Sequence, residues 1–295
     1  MILSSFLAIL SSAIRMGIPL AFAALGGVYS SKAGITALGL EGMMLSGSFS
    51  AAYFSYISGN PWLGLAGAAL VGGLIALLEA VLIVKQRVDQ VIGGIGINLL
   101  ALGGINLLLQ VVWNNRGKSP SLPTLPSIQI QGFGTVSVLL FLLFAAVLLS
   151  VWLLRRTRFG LRLRAVGENP LATRSIGVNN GAIKLIAMLI CGMLAGIAGA
   201  YLSIDNLNIF SRNITAGRGY IAMSIIILAN YQPSGVLWGS LLFGFADALQ
   251  IWLQRTGTSG QLLKAVPYLL TLLVITVAGE RVRAPQFLGI NVKEE

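Results

Sequence analysis

Few side chains in this chain can do chemistry, and the apolar runs around them limit what that chemistry is. The 295 residues include no histidine. A Ser/His/Asp relay is therefore excluded. No G-x-x-x-x-G-K-[ST] phosphate loop is present, which excludes ATP hydrolysis by that route. The single cysteine, Cys191, allows no internal disulfide, and no zinc-type spacing occurs. The carboxylates Glu41, Glu79, Asp205 and Asp247 show no paired motif spacing. The sequence predicts no catalytic residues, no cofactor and no metal.

What remains is hydrogen bonding inside apolar segments. A charge at the centre of a membrane helix costs about 2.5–3.5 kcal/mol on insertion scales. Glu41 must then face protein, a cavity or a basic partner. It reads either as a contact on a solute pathway or as a packing anchor that bonds neighbouring backbone near Lys32. Asn98 and Asn106 lie about two helical turns apart on one face. They fit a polar stripe for a ribose or base, or amide bonding between helices. Asp247 and Gln250 are neighbours at helical spacing and suit a solute hydroxyl, or Asp247 is protonated or paired inside its apolar run. Asn230 and Gln232 flank an expected break near Pro233, where they read as satisfying freed backbone groups more than as binding solute. Glu41, Asn98, Asn106, Asn230, Asp247 and Gln250 are the candidate pathway residues.

The elements that position them are membrane helices. The chain is 56% hydrophobic and only 10% charged, with mean hydropathy +0.86. A soluble domain carries about 25% charged residues. Spans are expected at 4–28, 35–57, 62–84, 91–112, 134–154, 183–204, 219–231, 236–253 and 264–279. This is an all-α, polytopic integral membrane protein with about nine helices, within eight to ten. The 219–231 segment is short and reads as broken or re-entrant, which requires burial in protein or a cavity. Residues 113–133, with Pro120, Pro123 and Pro126, read as an external extended loop. Glycines such as Gly94 and Gly96 read as helix-packing positions. Trp62, Trp113, Trp152 and Trp252 near span ends read as interfacial anchors. The whole of 1–295 reads as one transmembrane domain.

Charge sets the orientation. Arg155, Arg156, Arg158, Arg162, Arg164, Arg174 and Lys184 fall in one loop. The positive-inside rule places it in the cytoplasm. Alternation then puts Lys32, Lys85, Arg87, Arg281 and Arg283 inside with it. Arg116, Lys118, Arg212, Arg218 and Arg255 fall outside, and the C-terminus falls inside. The net charge of +11 follows this pattern, so membrane lipid rather than nucleic acid is the expected partner.

Within the loop at 155–182 one stretch is strongly punctuated: Glu168, Asn169, Pro170, Leu171, Ala172, Thr173, Arg174, Ser175, Ile176 and Gly177. Asn169 can cap a helix, Pro170 suits the first helical position and Gly177 suits the left-handed exit. Leu171, Ala172 and Ile176 give it an apolar face. Two turns are too short to stand alone in water. The face therefore needs a surface: lipid headgroups, a separate protein, or both.

Three stretches resemble the permease subunits of ATP-binding-cassette importers of the branched-chain amino acid and ribose class, closest to the nucleoside or simple-sugar branch. The first is Thr36–Gly47, similar to N-x-G-x-E-G-x-M-L-x-G. The second is Arg164–Pro170 followed by Ile176–Val178. The third is Gly217–Ala222 with Pro233–Gly235 and Leu242–Gln250. Thr36 stands where the pattern often has asparagine. Ile227–Asn230 replaces a run that usually contains glycine.

The resemblance implies a multi-pass protein of the bacterial inner membrane that imports a nucleoside. A simple sugar or branched-chain amino acid is the alternative solute. It implies three partners: a cytoplasmic ATP-binding subunit on the coupling helix at 168–177, a second permease subunit, more often a different chain, and an extracytoplasmic binding protein or lipoprotein. A secondary transporter independent of any ATPase is the remaining alternative.

Overall fold

A computed structural model describes residues 2–115, 117–130, 134–254, 269–273, 276 and 282–290. The helices are α1 (Ile2–Lys32), α2 (Leu40–Ser58), α3 (Pro61–Val84), α4 (Gln90–Trp113), α5 (Val138–Arg156), α6 (Arg158–Glu168), α7 (Pro170–Ser175), α8 (Asn180–Ala200), α9 (Arg218–Leu228) and α10 (Pro233–Gln254). A π-helical turn, Tyr201–Asn206, continues α8. A short antiparallel hairpin, β1 (Ser127–Ile130) with β2 (Gly134–Ser137), precedes α5.

Among the described residues, six helical stretches are long and apolar enough to cross a membrane: Ile9–Lys32, Pro61–Val84, Gln90–Trp113, Val138–Arg156, Asn180–Asn206 and Pro233–Gln254. Two expected spans fall short of that standard for physical reasons. In α2, Glu41 and five serines lower the hydropathy. That is tolerated because α2 is the inner helix, flanked by α3, α4, α8 and α9 and mostly buried. A helix that meets protein on every side need not match lipid. α9 has only 11 residues, half a crossing. The ninth expected span, 264–279, lies largely outside the described residues, as do Arg116, Arg255 and Arg281.

Other boundaries shift. The span expected from residue 134 begins at Val138, because 134–137 pair as β2. Ser137 then caps α5, accepting from the Leu139 amide at 3.0 Å. The expected extended loop contains β1. The loop at 155–182 holds two helices rather than one, since Thr157 caps α6 by accepting from Gly160 N. Trp113 packs edge-on against Phe49, with ring centroids 5.4 Å apart, so it is a packing residue more than an interfacial one.

Small residues let the inner helices touch. Gly192 and Gly196 of α8 lie one turn apart and face Ala68, Gly72 and Ala76 of α3. Gly196 also meets Gly47 of α2. Gly94 is pressed against Leu38, whereas Gly96 and Gly104 have nothing among the described residues within 4 Å of an added Cβ. Packing thus explains Gly94 and leaves Gly96 on the open face of α4. Replacing Gly196 with alanine would drive a methyl into the Ala68 carbonyl, at a cost of about 1–3 kcal/mol. Gly104→Ala meets open space and should lose nothing. Thermal unfolding of the two purified variants in detergent checks this. Gly196→Ala melts lower than the parent, and Gly104→Ala does not.

Candidate functional site

The broken crossing is the first feature. After the π turn, residues 207–217 run without regular structure down the side of α2. Their upper end is tied to the α4–α5 connection: Ser119 N donates to Phe210 O and Leu122 N to Asn208 O, each at 2.9 Å. Phe210 then packs edge-on against Phe49, 5.5 Å between centroids. Their lower end reaches Glu41. The unwound stretch therefore precedes α9, whereas the sequence suggested a break near Pro233. Residues 229–232 instead form a tight turn with Asn230 and Tyr231 at φ 51° and 55°.

Glu41 holds the break. One carboxylate oxygen accepts from Thr215 Oγ1 at 2.6 Å and Gly217 N at 2.9 Å. The other accepts from Gly219 N at 2.7 Å. The first turn of a helix leaves amide donors without partners and carries positive dipole potential. A carboxylate satisfies both. Gly217 adopts φ 82°, open mainly to glycine. A Cβ on Gly219 would sit 2.5 Å from the Glu41 nitrogen. Glu41 thus bonds the backbone at the start of α9, in keeping with the reading of it as a packing anchor.

Asn98 belongs to the same cluster. Its Oδ1 accepts from Gly42 N at 2.8 Å. Its Nδ2 donates to Leu38 O at 2.9 Å and to the Tyr220 hydroxyl at 3.0 Å. Asn98 therefore caps α2 from α4 and touches α9. Glu79 of α3 completes the cap, accepting from Gly39 N at 3.2 Å. Its other oxygen, Oε2, is buried without a hydrogen-bond partner among the described residues. The sequence assigned Glu79 no role. The signal was there: an acid inside a long apolar run is expensive unless it is engaged.

The other candidates are dispersed. Arg218, at the start of α9, interacts electrostatically with Asp247 on α10. Asn106 lies further along α4, and its Oδ1 is buried without a hydrogen-bond partner among the described residues. Gln250 sits one turn beyond Asp247, partly buried. Asn230 is at the α9–α10 turn, where its Oδ1 accepts from Arg283 N at 2.9 Å. Gln232 beside it accepts from Arg155 Nη2 at 3.3 Å.

The second feature is the α6–α7 pair at the basic end. Asn169 caps α7, accepting from Ala172 N at 3.0 Å. Pro170 opens the helix and Gly177, at φ 78°, ends it. Val178 N reaches Thr173 O at 3.0 Å and Gly177 N reaches Arg174 O at 2.9 Å, a Schellman closure. One side of α7 is fastened to α8: Thr173 Oγ1 donates to Asn180 Oδ1 at 2.8 Å, and Asn180 Nδ2 donates to Pro170 O at 2.7 Å. The opposite side is bare. Leu171 is 57% exposed and Ile176 is 76% exposed.

A C-terminal strap crosses beneath this pair. Phe287 N donates to Gly167 O at 3.1 Å and Gly289 N to Gly34 O at 3.3 Å. Gln286 N donates to Glu168 Oε2 at 3.4 Å. With Arg283 on Asn230, the strap joins the α1–α2 loop, the α6–α7 junction and the α9–α10 turn. The strap contributes only backbone donors to these bonds, which is why its side-chain pattern did not reveal them.

Removing the Glu41 carboxylate tests the anchor. Glu41→Ala leaves two amides and a hydroxyl unpartnered, at about 1–3 kcal/mol for each buried group. Glu41→Gln retains one acceptor oxygen. Melting of the purified protein should fall in the order parent, Gln, Ala. An alanine variant that melts with the parent would contradict the anchoring role.

Residues 9–278 match the family model described as branched-chain amino acid transport system / permease component. The guanosine ABC transporter permease protein NupQ of Bacillus subtilis is 32% identical over 298 residues, covering 92% of each chain. The nucleoside ABC transporter permease protein NupC of Lactococcus lactis subsp. cremoris is 33% identical over 299 residues, again covering 92% of each. The ribose import permease protein RbsC of Escherichia coli K12 is 28% identical over 243 residues, covering 73% of this chain and 69% of its own. No solved structure matches. The multi-pass helical fold and these alignments agree: the chain belongs to the permease-component family of the branched-chain amino acid transport systems.

Proposed function

We propose that this chain is the membrane pathway subunit of an ABC importer for nucleosides, driven by a separate ATPase seated on α7. The observation that carries the coupling role is α7 itself. Its inner side is locked to α8 through Thr173 and Asn180, while Leu171 and Ile176 stand exposed on the outer side. A capped two-turn helix with a bare apolar face is a docking element. Arg155, Arg156, Arg158, Arg162 and Arg174 are exposed around it, which favours the cytoplasmic, anionic leaflet. The nucleoside reading follows the relatives NupQ and NupC, whose names specify guanosine and nucleosides. RbsC supports a simple sugar as the second reading.

On this reading the loop at 155–182 and the C-terminal strap lie in the cytoplasm. An extracytoplasmic binding protein delivers solute to the opposite face. A second permease chain, more readily a different one, completes the pathway. The strap passes α7 displacement to the α9–α10 turn, and Glu41 links α9 to α2.

Leu171→Asp and Ile176→Asp test the docking face. Both side chains are exposed, so folding should be unchanged. Co-purification of the ATPase should fail, and ATP-driven uptake should drop at least tenfold. Full uptake by the double variant would overturn the coupling assignment. Deleting 168–178 with no change in ATP hydrolysis by the complex would overturn it too.

A further inference from the structure

The unwound segment starts beside a second feature, at the end of the bundle opposite α7. Ser137 caps the first turn of α5, whereas α6 and α7 follow its last. Next to Ser137 lies a cavity of about 220 Å³. Its wall includes Arg15 of α1, Tyr201 and Asp205 of the π turn, and Thr124, Ser127 and Ser137 of the α4–α5 connection. None of these residues belongs to the cluster around Glu41 or to the docking end.

Three independent observations mark the cavity as more than a packing defect. Arg15 is a cation within a long apolar helix, and such a residue is retained for a purpose. Its guanidinium hydrogen-bonds the Tyr201 hydroxyl and interacts electrostatically with the Asp205 carboxylate, and all three line the cavity. The backbone there widens from α-helix to π-helix, an arrangement concentrated at functional sites. Three hydroxyls join them on the wall, beside Leu125, Asn206 and Asn208: the Ser137 hydroxyl pairs with Asp205 while accepting from Leu139 N, and Thr124 and Ser127 are exposed.

The wall chemistry selects a ligand class. One cation and one anion cancel, so the cavity is not built for a net charge. A carboxylate accepts from vicinal hydroxyls, a guanidinium donates to hydroxyl or ring oxygens, and the hydroxyls do both. Pockets for drug-sized ligands run from about 300 Å³ upward. This one is smaller and suits a single ring.

We propose that this cavity is a binding subsite for a neutral polyhydroxylated ring, either the sugar end of a nucleoside or a free pentose. Its placement on the solute-receiving face rests on the importer reading above. Asp205 and Arg15 grip adjacent hydroxyls, and the base of a nucleoside remains outside the cavity.

The test reads occupancy without requiring transport. Cys191 is fully buried, so the parent chain is the unlabelled blank. A Thr124→Cys variant, in the complete complex in lipid nanodiscs, is labelled with a membrane-impermeant maleimide. Uridine, ribose or uracil is added at matched concentrations. Uridine and ribose should each slow labelling at least fivefold, and uracil should not. Adding Asp205→Asn should raise the protecting concentration at least tenfold. Protection at lower uridine than ribose assigns the site to nucleosides, and the reverse assigns it to free sugars. Labelling unchanged by both, or slowed equally by uracil, overturns the proposal. Ser127→Cys gives the same reading if Thr124→Cys does not assemble. A complex that imports neither solute yet shows protection would remove the importer reading and leave the subsite standing.

Discussion

A polypeptide in lipid must satisfy every backbone polar group from within the protein, and this chain breaks a crossing in its interior. The carboxylate of Glu41 makes that possible. It supplies acceptors to Thr215, Gly217 and Gly219 at the point where the chain re-enters helix. Because the acceptors come from α2, the half-helix α9 cannot move independently of α2. α2 in turn is capped from α3 by Glu79 and from α4 by Asn98. Four helices thus meet at one small hydrogen-bonded cluster. The glycine contacts between α3 and α8 bring the surrounding helices close enough to enclose it.

The two ends of the bundle differ in a way that suits directional work. The basic end carries short helices, a bare apolar face and a strap whose backbone amides bond to three separate connections. The other end carries a hairpin, a π turn and a cavity with polar walls. The unwound segment 207–217 links the two. Its upper part is tied to the hairpin side and its lower part to Glu41. A displacement at the basic end has a continuous bonded route to the polar cavity, through the α9–α10 turn, α9 and this segment.

Much of this architecture was legible in the sequence because its signals are local. The cap at Asn169, Pro170 at the first turn and Gly177 at the exit are readable from spacing, and α7 has those features. The length of α9 marked a broken crossing. Other features depend on partners distant in sequence. Glu41 could be recognised as costly, but its acceptor role needed residues 215–219 folded beside it. The role of Glu79 depends on the Gly39 amide. The strap uses main-chain donors at Arg283, Gln286, Phe287 and Gly289, which carry no side-chain signature. α2 was expected as an ordinary span, yet its serines are tolerated only because it is the inner helix.

On the proposed function, solute crosses this chain only when an ATPase and a binding protein act on it from opposite faces. Reconstitution of the permease, its paired permease chain and the ATPase into liposomes, with radiolabelled uridine and the binding protein outside, tests it directly. The account predicts uridine accumulation that requires both internal ATP and the binding protein. Uptake by the permease alone under an ion gradient, without ATP, would contradict it.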